Sequence, residues 1–145
     1  MNKLGMEGKL YYNAASYDTP DWREILNAKD VNLNLEKGEA DVTSRGNAGW
    51  RATVGTLKEG SIEFEMVWDT EDEGFAALQA AWFGDTPIEM AVMDGDIAAS
   101  GSQGLRATMS VISFSRSEPL EEAMGASLVV KPTYAEHPPE WLVVA

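Results

Sequence analysis

The residues able to do chemistry are few and badly placed for it. The one histidine, His137, lies between Glu136 and Pro138 in a tail that also carries Pro132 and Pro139. A base or a metal ligand needs partners held around it, and such a tail is a poor holder, so His137 reads as an exposed residue. Ser102 sits in Gly101-Ser102-Gln103-Gly104, which is not the spacing of a nucleophile elbow. A P-loop needs four residues between its glycines and Ser or Thr after its lysine. Here two residues separate Gly5 from Gly8, and Leu10 follows Lys9. Asp94 and Asp96 flank Gly95, but the rest of a calcium loop, with its terminal Glu, is missing, and the trio reads as a turn. Glu63 and Glu65 share one strand face, a pairing that acid–base chemistry can use. A chain with 24 Asp and Glu also produces such pairs as solvated surface. Cysteine is absent, which removes thiolate ligands, thiol nucleophiles and disulfides together. The expectation is a non-enzyme with no catalytic residue, no metal and no cofactor.

The elements that would carry these residues are mostly strands. Residues 9–13 form a short one. Val31, Leu33 and Leu35 alternate with polar residues, as do Trp50, Ala52 and Val54, and then Ile62, Phe64, Met66 and Trp68. This period of two marks a half-buried strand. Lys58-Glu59-Gly60 separates the last two runs at hairpin distance. One helix follows, with Thr70 as its cap and Glu73 three residues on, and Phe75, Leu78 and Trp82 as its apolar stripe. Gly84 and Pro87 end it. Strands resume at residues 88–93, 105–114 and 126–133. Leu105, Ala107, Met109 and Val111 are apolar on one phase and Ile112 and Phe114 on the other, so a bulge is expected near Val111. Residues 118–124 form a connection. The predicted core holds Phe64, Trp68, Phe75, Leu78, Trp82 and Phe114. Residues 37–49 show no period and read as a long loop, which in a compact domain is functional or disordered. Residues 134–145 form a proline-rich tail that joins a central sheet poorly. Its Trp141 and Leu142 can dock on their own domain or on a neighbour.

The 145 residues suffice for one domain with one core. The net charge of −13 repels phosphate backbones, which argues against tight nucleic-acid binding. Residues 1–10 lack the apolar stretch of a signal peptide, and no run approaches the roughly 20 apolar residues that span a bilayer. A soluble chain of the cytoplasm, with no membrane partner, is expected.

Several phrases occur in a telling order. Gly60-Ser61-Ile62-Glu63-Phe64-Glu65-Met66-Val67-Trp68-Asp69 leads into Thr70-Glu71-Asp72-Glu73-Gly74-Phe75-Ala76-Ala77-Leu78. Gly84-Asp85-Thr86-Pro87-Ile88-Glu89 and Val111-Ile112-Ser113-Phe114-Ser115-Arg116-Ser117 come later, and Asp41-Val42-Thr43-Ser44-Arg45 earlier. This order resembles the bacteriophage tail tube proteins, the major tail proteins of long-tailed phages, which are related to Hcp-type tubes. The resemblance is best over residues 29–131. It implies a mainly β fold with one α-helix, a sandwich or barrel of the tail tube type, as a single domain over residues 1–145. It implies subunits that form hexameric rings, stacked as the hollow tail tube of a phage or prophage virion and made in the host cytoplasm. DNA would pass without specific binding. Partners would be further copies and the tape measure, baseplate or tip, and terminator proteins. By the same analogy residues 37–49 form an assembly loop in which Asp41, Thr43, Ser44, Arg45 and Asn47 meet a neighbour, although Arg45 equally reads as a solvated charge. Two alternatives stay open: a secretion tube or terminator ring, and a monomeric β-barrel that binds a small molecule.

Overall fold

A computed structural model describes residues 2–145. Its strands are β1 (Lys9–Asn13), β2 (Trp22–Glu24), β3 (Ala28–Asp41), β4 (Thr53–Val67), β5 (Ile88–Met93), β6 (Gln103–Ser117), β7 (Gly125–Pro132) and β8 (Glu140–Val143). One helix, α1 (Glu73–Phe83), stands between β4 and β5. All pairings are antiparallel, in the order β2-β1-β5-β6-β7-β4-β3, with β8 added to β6.

Alternation builds the core. Ile62, Phe64 and Met66 of β4 point the same way as Ala126, Leu128 and Val130 of β7 and Leu105, Ala107, Met109 and Val111 of β6. Leu10 and Tyr12 of β1, near the far edge of the sheet, join the same cluster. One sheet therefore coils around one core, and α1 covers it with Phe75, Leu78 and Ala81. On the opposite face Tyr11, Ala91 and Met93 are covered by Trp22, Ile97, Leu142 and Val144. Gly104 is obligatory here: a Cβ would lie 1.8 Å from the Val92 carbonyl oxygen.

The predicted bulge is present. Val111 faces Val130 and Ser113 faces Val129, so Ile112 is the extra residue. The slip turns Phe114 inward against Trp68 and Phe75, with ring centroids 6.4 and 5.8 Å away. Phe64, Phe75 and Leu78 are buried as expected, and Trp68 and Phe114 pack on the cluster half-buried.

Several expectations fail for physical reasons. Trp82 is exposed: the buried row runs Phe75, Leu78, Ala81, an i, i+3, i+6 line that drifts around the helix and leaves Trp82 at its shoulder. Asp72, not Thr70, caps α1, its carboxylate accepting from Phe75 N at 2.9 Å. No hairpin breaks the chain at residues 58–60, because Gly60 stays extended and pairs with Leu35 inside a continuous β4. Residues 37–41 are strand rather than loop. The tail also joins the sheet. Its prolines all precede β8, so no ladder donor is lost, and β8 takes the side of β6 that β7 leaves after Pro132.

Candidate assembly surface

The sites dismissed on sequence are structural. Ser102 is buried and donates to the Asp96 carbonyl at 2.7 Å, and the Asp94 and Asp96 carboxylates accept from the backbone N–H groups of Gln103 and Ala98. Glu63 and Glu65 face solvent. No group of three or more His, Asp or Glu that could hold a metal ion occurs among the described residues. His137 is not the free residue expected. Its ring stacks on Tyr17 at 3.6 Å, and the guanidinium of Arg106 lies 3.9 Å from the centre of that ring. Arg106 also pairs with Glu89, lies 3.8 Å from Glu140, and donates to the Tyr17 carbonyl at 2.8 Å. Tyr17 Oη donates to Glu140 at 3.1 Å. This cluster bolts the tail and residues 14–21 onto the sheet. Nothing in the sequence pattern announced it, beyond an arginine on the polar phase of a central strand.

The feature that stands out is an arm. β4 pairs with β7 only over Ile62–Val67, and β3 has no strand neighbour on its outer edge among the described residues. From Leu35↔Gly60 to Asp41↔Thr53 the two strands pair only with each other, a ribbon about 20 Å long. Almost every residue on it is exposed on both faces. Residues 37–41 show no period because they bury neither face. The alternation of Trp50, Ala52 and Val54 does not mark a half-buried strand: β4 begins only at Thr53, and Trp50 and Val54 are exposed. A two-stranded ribbon is marginal alone, and this one shows large apolar groups to solvent, with Trp50 78% and Leu57 81% exposed.

At its tip the five residues singled out on sequence come together. Thr43 Oγ1 accepts from Ala52 N at 2.8 Å, and Val42 N donates to Ala52 O at 2.9 Å. Asp41 accepts from Thr43 N at 2.8 Å, and Thr43, through its side chain first and then this N–H, holds the Asp41 carboxyl below its usual pKa. Ser44 precedes one turn of 3₁₀ helix, Arg45–Asn47, without capping it by its side chain. Ala48 and Gly49 both have positive φ, 53° and 87°, and Asn47 Nδ2 is buried without an acceptor. The tip therefore carries strain and an unmet donor.

Charge divides the arm from the rest. Residues 36–59 hold four cations (Lys37, Arg45, Arg51, Lys58) and four carboxylates (Glu36, Glu39, Asp41, Glu59), so the whole net charge of −13 falls outside them. None of these four cations makes an ion pair among the described residues. Lys37 stands directly across the ladder from Lys58, and Glu36 from Glu59. Like charges so placed repel.

The profile of the phage tail tube protein family matches residues 7–131. No curated protein sequence matches significantly. Among solved structures, a chain in the tail of an empty gene transfer agent particle, refined with C6 symmetry, aligns over 99% of this chain and all of its own, with a TM-score of 0.73 and 17% identity. A chain of the SPP1 tail tube aligns over 90% of this chain and 75% of its own, at 0.72 and 14%. A chain of the anti-feeding prophage baseplate, symmetrised six-fold, aligns over 99% and 97%, at 0.64 and 8%. At these identities the likeness is one of fold.

Proposed function

The chain belongs to the phage tail tube protein family, a family of structural proteins, and from that premise we propose that copies of it join through the arm into hexameric rings that stack as a hollow virion tail tube. The observation that carries this reading is the β3–β4 ribbon itself, with two free edges, exposed aromatic and aliphatic groups, and a strained tip. Each of these is a cost in the isolated subunit that a second copy can remove. Open edges add strands from a neighbour, and a contact between two different surfaces closes into a ring or extends as a tube. The role is passive. The subunit binds no cofactor and turns over no substrate. Its −13 charge keeps DNA from adhering as it passes. Its partners beyond itself are the tail proteins at the ends of and inside a tube: baseplate or tip, terminator and tape measure. It is made in the host cytoplasm and ends in the virion tail. The likeness in fold to a chain of the anti-feeding prophage baseplate favours a second reading, a secretion tube of the Hcp type or a terminator ring, over a monomeric binding barrel.

The test is assembly. Leu35 and Gly60 are cross-strand partners, so residues 36–59 can be replaced by a two-residue turn without disturbing the core. Negative-stain microscopy of the concentrated parent protein should show rings or hollow tubes. The shortened variant should keep its unfolding transition and remain monomeric. Tubes formed equally by both would sink the proposal.

A further inference from the structure

Where the arm leaves the body, it and the tail enclose an open groove of about 790 Å³. Its apolar wall is Leu35, Leu105, Pro132, Pro138 and Trp141, and the unpaired Lys58 lines its rim with Lys37 opposite on the ladder. Three carboxylates border it too: strand alternation turns Glu36 and Glu59 to the face opposite Leu35, Lys37 and Lys58, and Glu140 is held by Tyr17 and Arg106. Leu35 and Trp141 are more than half exposed. The groove lies at the Pro132 end of β7. At the other end of β7, next to Gly125, the turn of residues 118–124 carries Leu120, which is fully exposed, beside Glu121 and Glu122, neither of which is in an ion pair among the described residues. The two features match in chemistry, an apolar anchor beside two carboxylates against an apolar trough beside two ammonium groups. They stand at opposite ends of one strand of about 25 Å, so no single copy can satisfy both.

We propose that the groove of one copy receives the 118–124 turn of a second copy, Leu120 entering between Leu35 and Trp141 while Glu121 and Glu122 meet Lys37 and Lys58. This rests on the reading of the chain as self-assembling and names the contact. Two lysines facing each other across a ladder repel in the free subunit, and an incoming pair of carboxylates turns that repulsion into attraction. The contact joins unlike ends, so it repeats head to tail in one direction. It is also an attractive spot between bodies that otherwise repel, and the arm's charge balance is what permits approach there.

The experiment uses the whole chain, with assembly followed by sedimentation velocity and microscopy. Leu120→Asp and the pair Lys37→Glu, Lys58→Glu should each raise the concentration needed for assembly at least about tenfold, with unfolding transitions unchanged because all three residues are exposed. Adding Glu121→Lys and Glu122→Lys to the lysine pair should restore assembly. A carbodiimide, which joins only touching amines and carboxylates, should link Lys37 or Lys58 to Glu121 or Glu122 between copies. Normal assembly of Leu120→Asp, no rescue by the charge exchange, or crosslinks to carboxylates elsewhere would each overturn the contact. The variant lacking residues 36–59 separates the two claims: if it stays monomeric while Leu120→Asp assembles, the arm retains its role and the turn is not its partner.

Discussion

The Arg106 guanidinium touches four other parts of the chain: Glu89 of β5, Glu140 of β8, the ring and carbonyl of Tyr17, and at 5.1 Å the ring of Trp22. Its side chain and that of Glu89 are nearly nine-tenths buried. Removing one member of such a pair leaves the other charge stranded in a poor solvent. Arg106→Ala should therefore cost about 3 kcal/mol or more in urea unfolding, whereas Glu140→Gln, at the half-exposed end of the cluster, should cost less than about 1 kcal/mol. Gly104→Ala has nowhere to put its methyl group against Val92 and should cost at least about 3 kcal/mol, read the same way. Asp41 gives a pH prediction. Its pKa is depressed in the folded arm, so the tip hydrogen bonds are fully favoured above the usual carboxylate value and fade as pH falls through the lower folded one. The Thr43 amide resonance, followed by NMR, should titrate at a more acidic midpoint than a free aspartate. A midpoint at the ordinary value would mean the tip is not ordered in solution.

At the level of elements, what could be read in advance was what buries one face. The alternation of Ile62, Phe64 and Met66, the phase slip at Val111 and the bounds of β5 all report packing on the core, and all reappear in the fold. The outer half of β3 and β4 buries neither face, so residues 37–41 imitate a loop and Lys58-Glu59-Gly60 imitates a turn. β2, three residues long, and β8, four, are too short to show any period. The five tip residues lie together at the end of the arm, and the ribbon that carries them has no signature in the sequence because it buries neither face. The i, i+3, i+7 spacing of Phe75, Leu78 and Trp82 misleads because the buried line drifts around α1 and reaches at its end Ala81, not Trp82. Its exposed neighbour Phe83 extends the apolar surface there, and changing both to Ser should leave the unfolding midpoint within a few degrees, measured by calorimetry.

For the whole molecule, separation of charge predicts a two-sided response to salt. Bodies carrying −13 each repel at low ionic strength, while the cations of the arm attract. Raising salt from low levels should first promote assembly and then, once lysine–carboxylate contacts are screened, oppose it, a maximum that light scattering can locate. A steady rise with no maximum would mean that the arm cations take no part. Finally, β4 runs unbroken from the arm into the centre of the core, where its last six residues are laddered to β7. A pull applied at the tip along that strand meets this ladder in shear, so its bonds must yield together, whereas prying the ribbon sideways opens the β3–β4 pairs one at a time. The subunit is thus stiff under tension along the arm and compliant when the arm is bent.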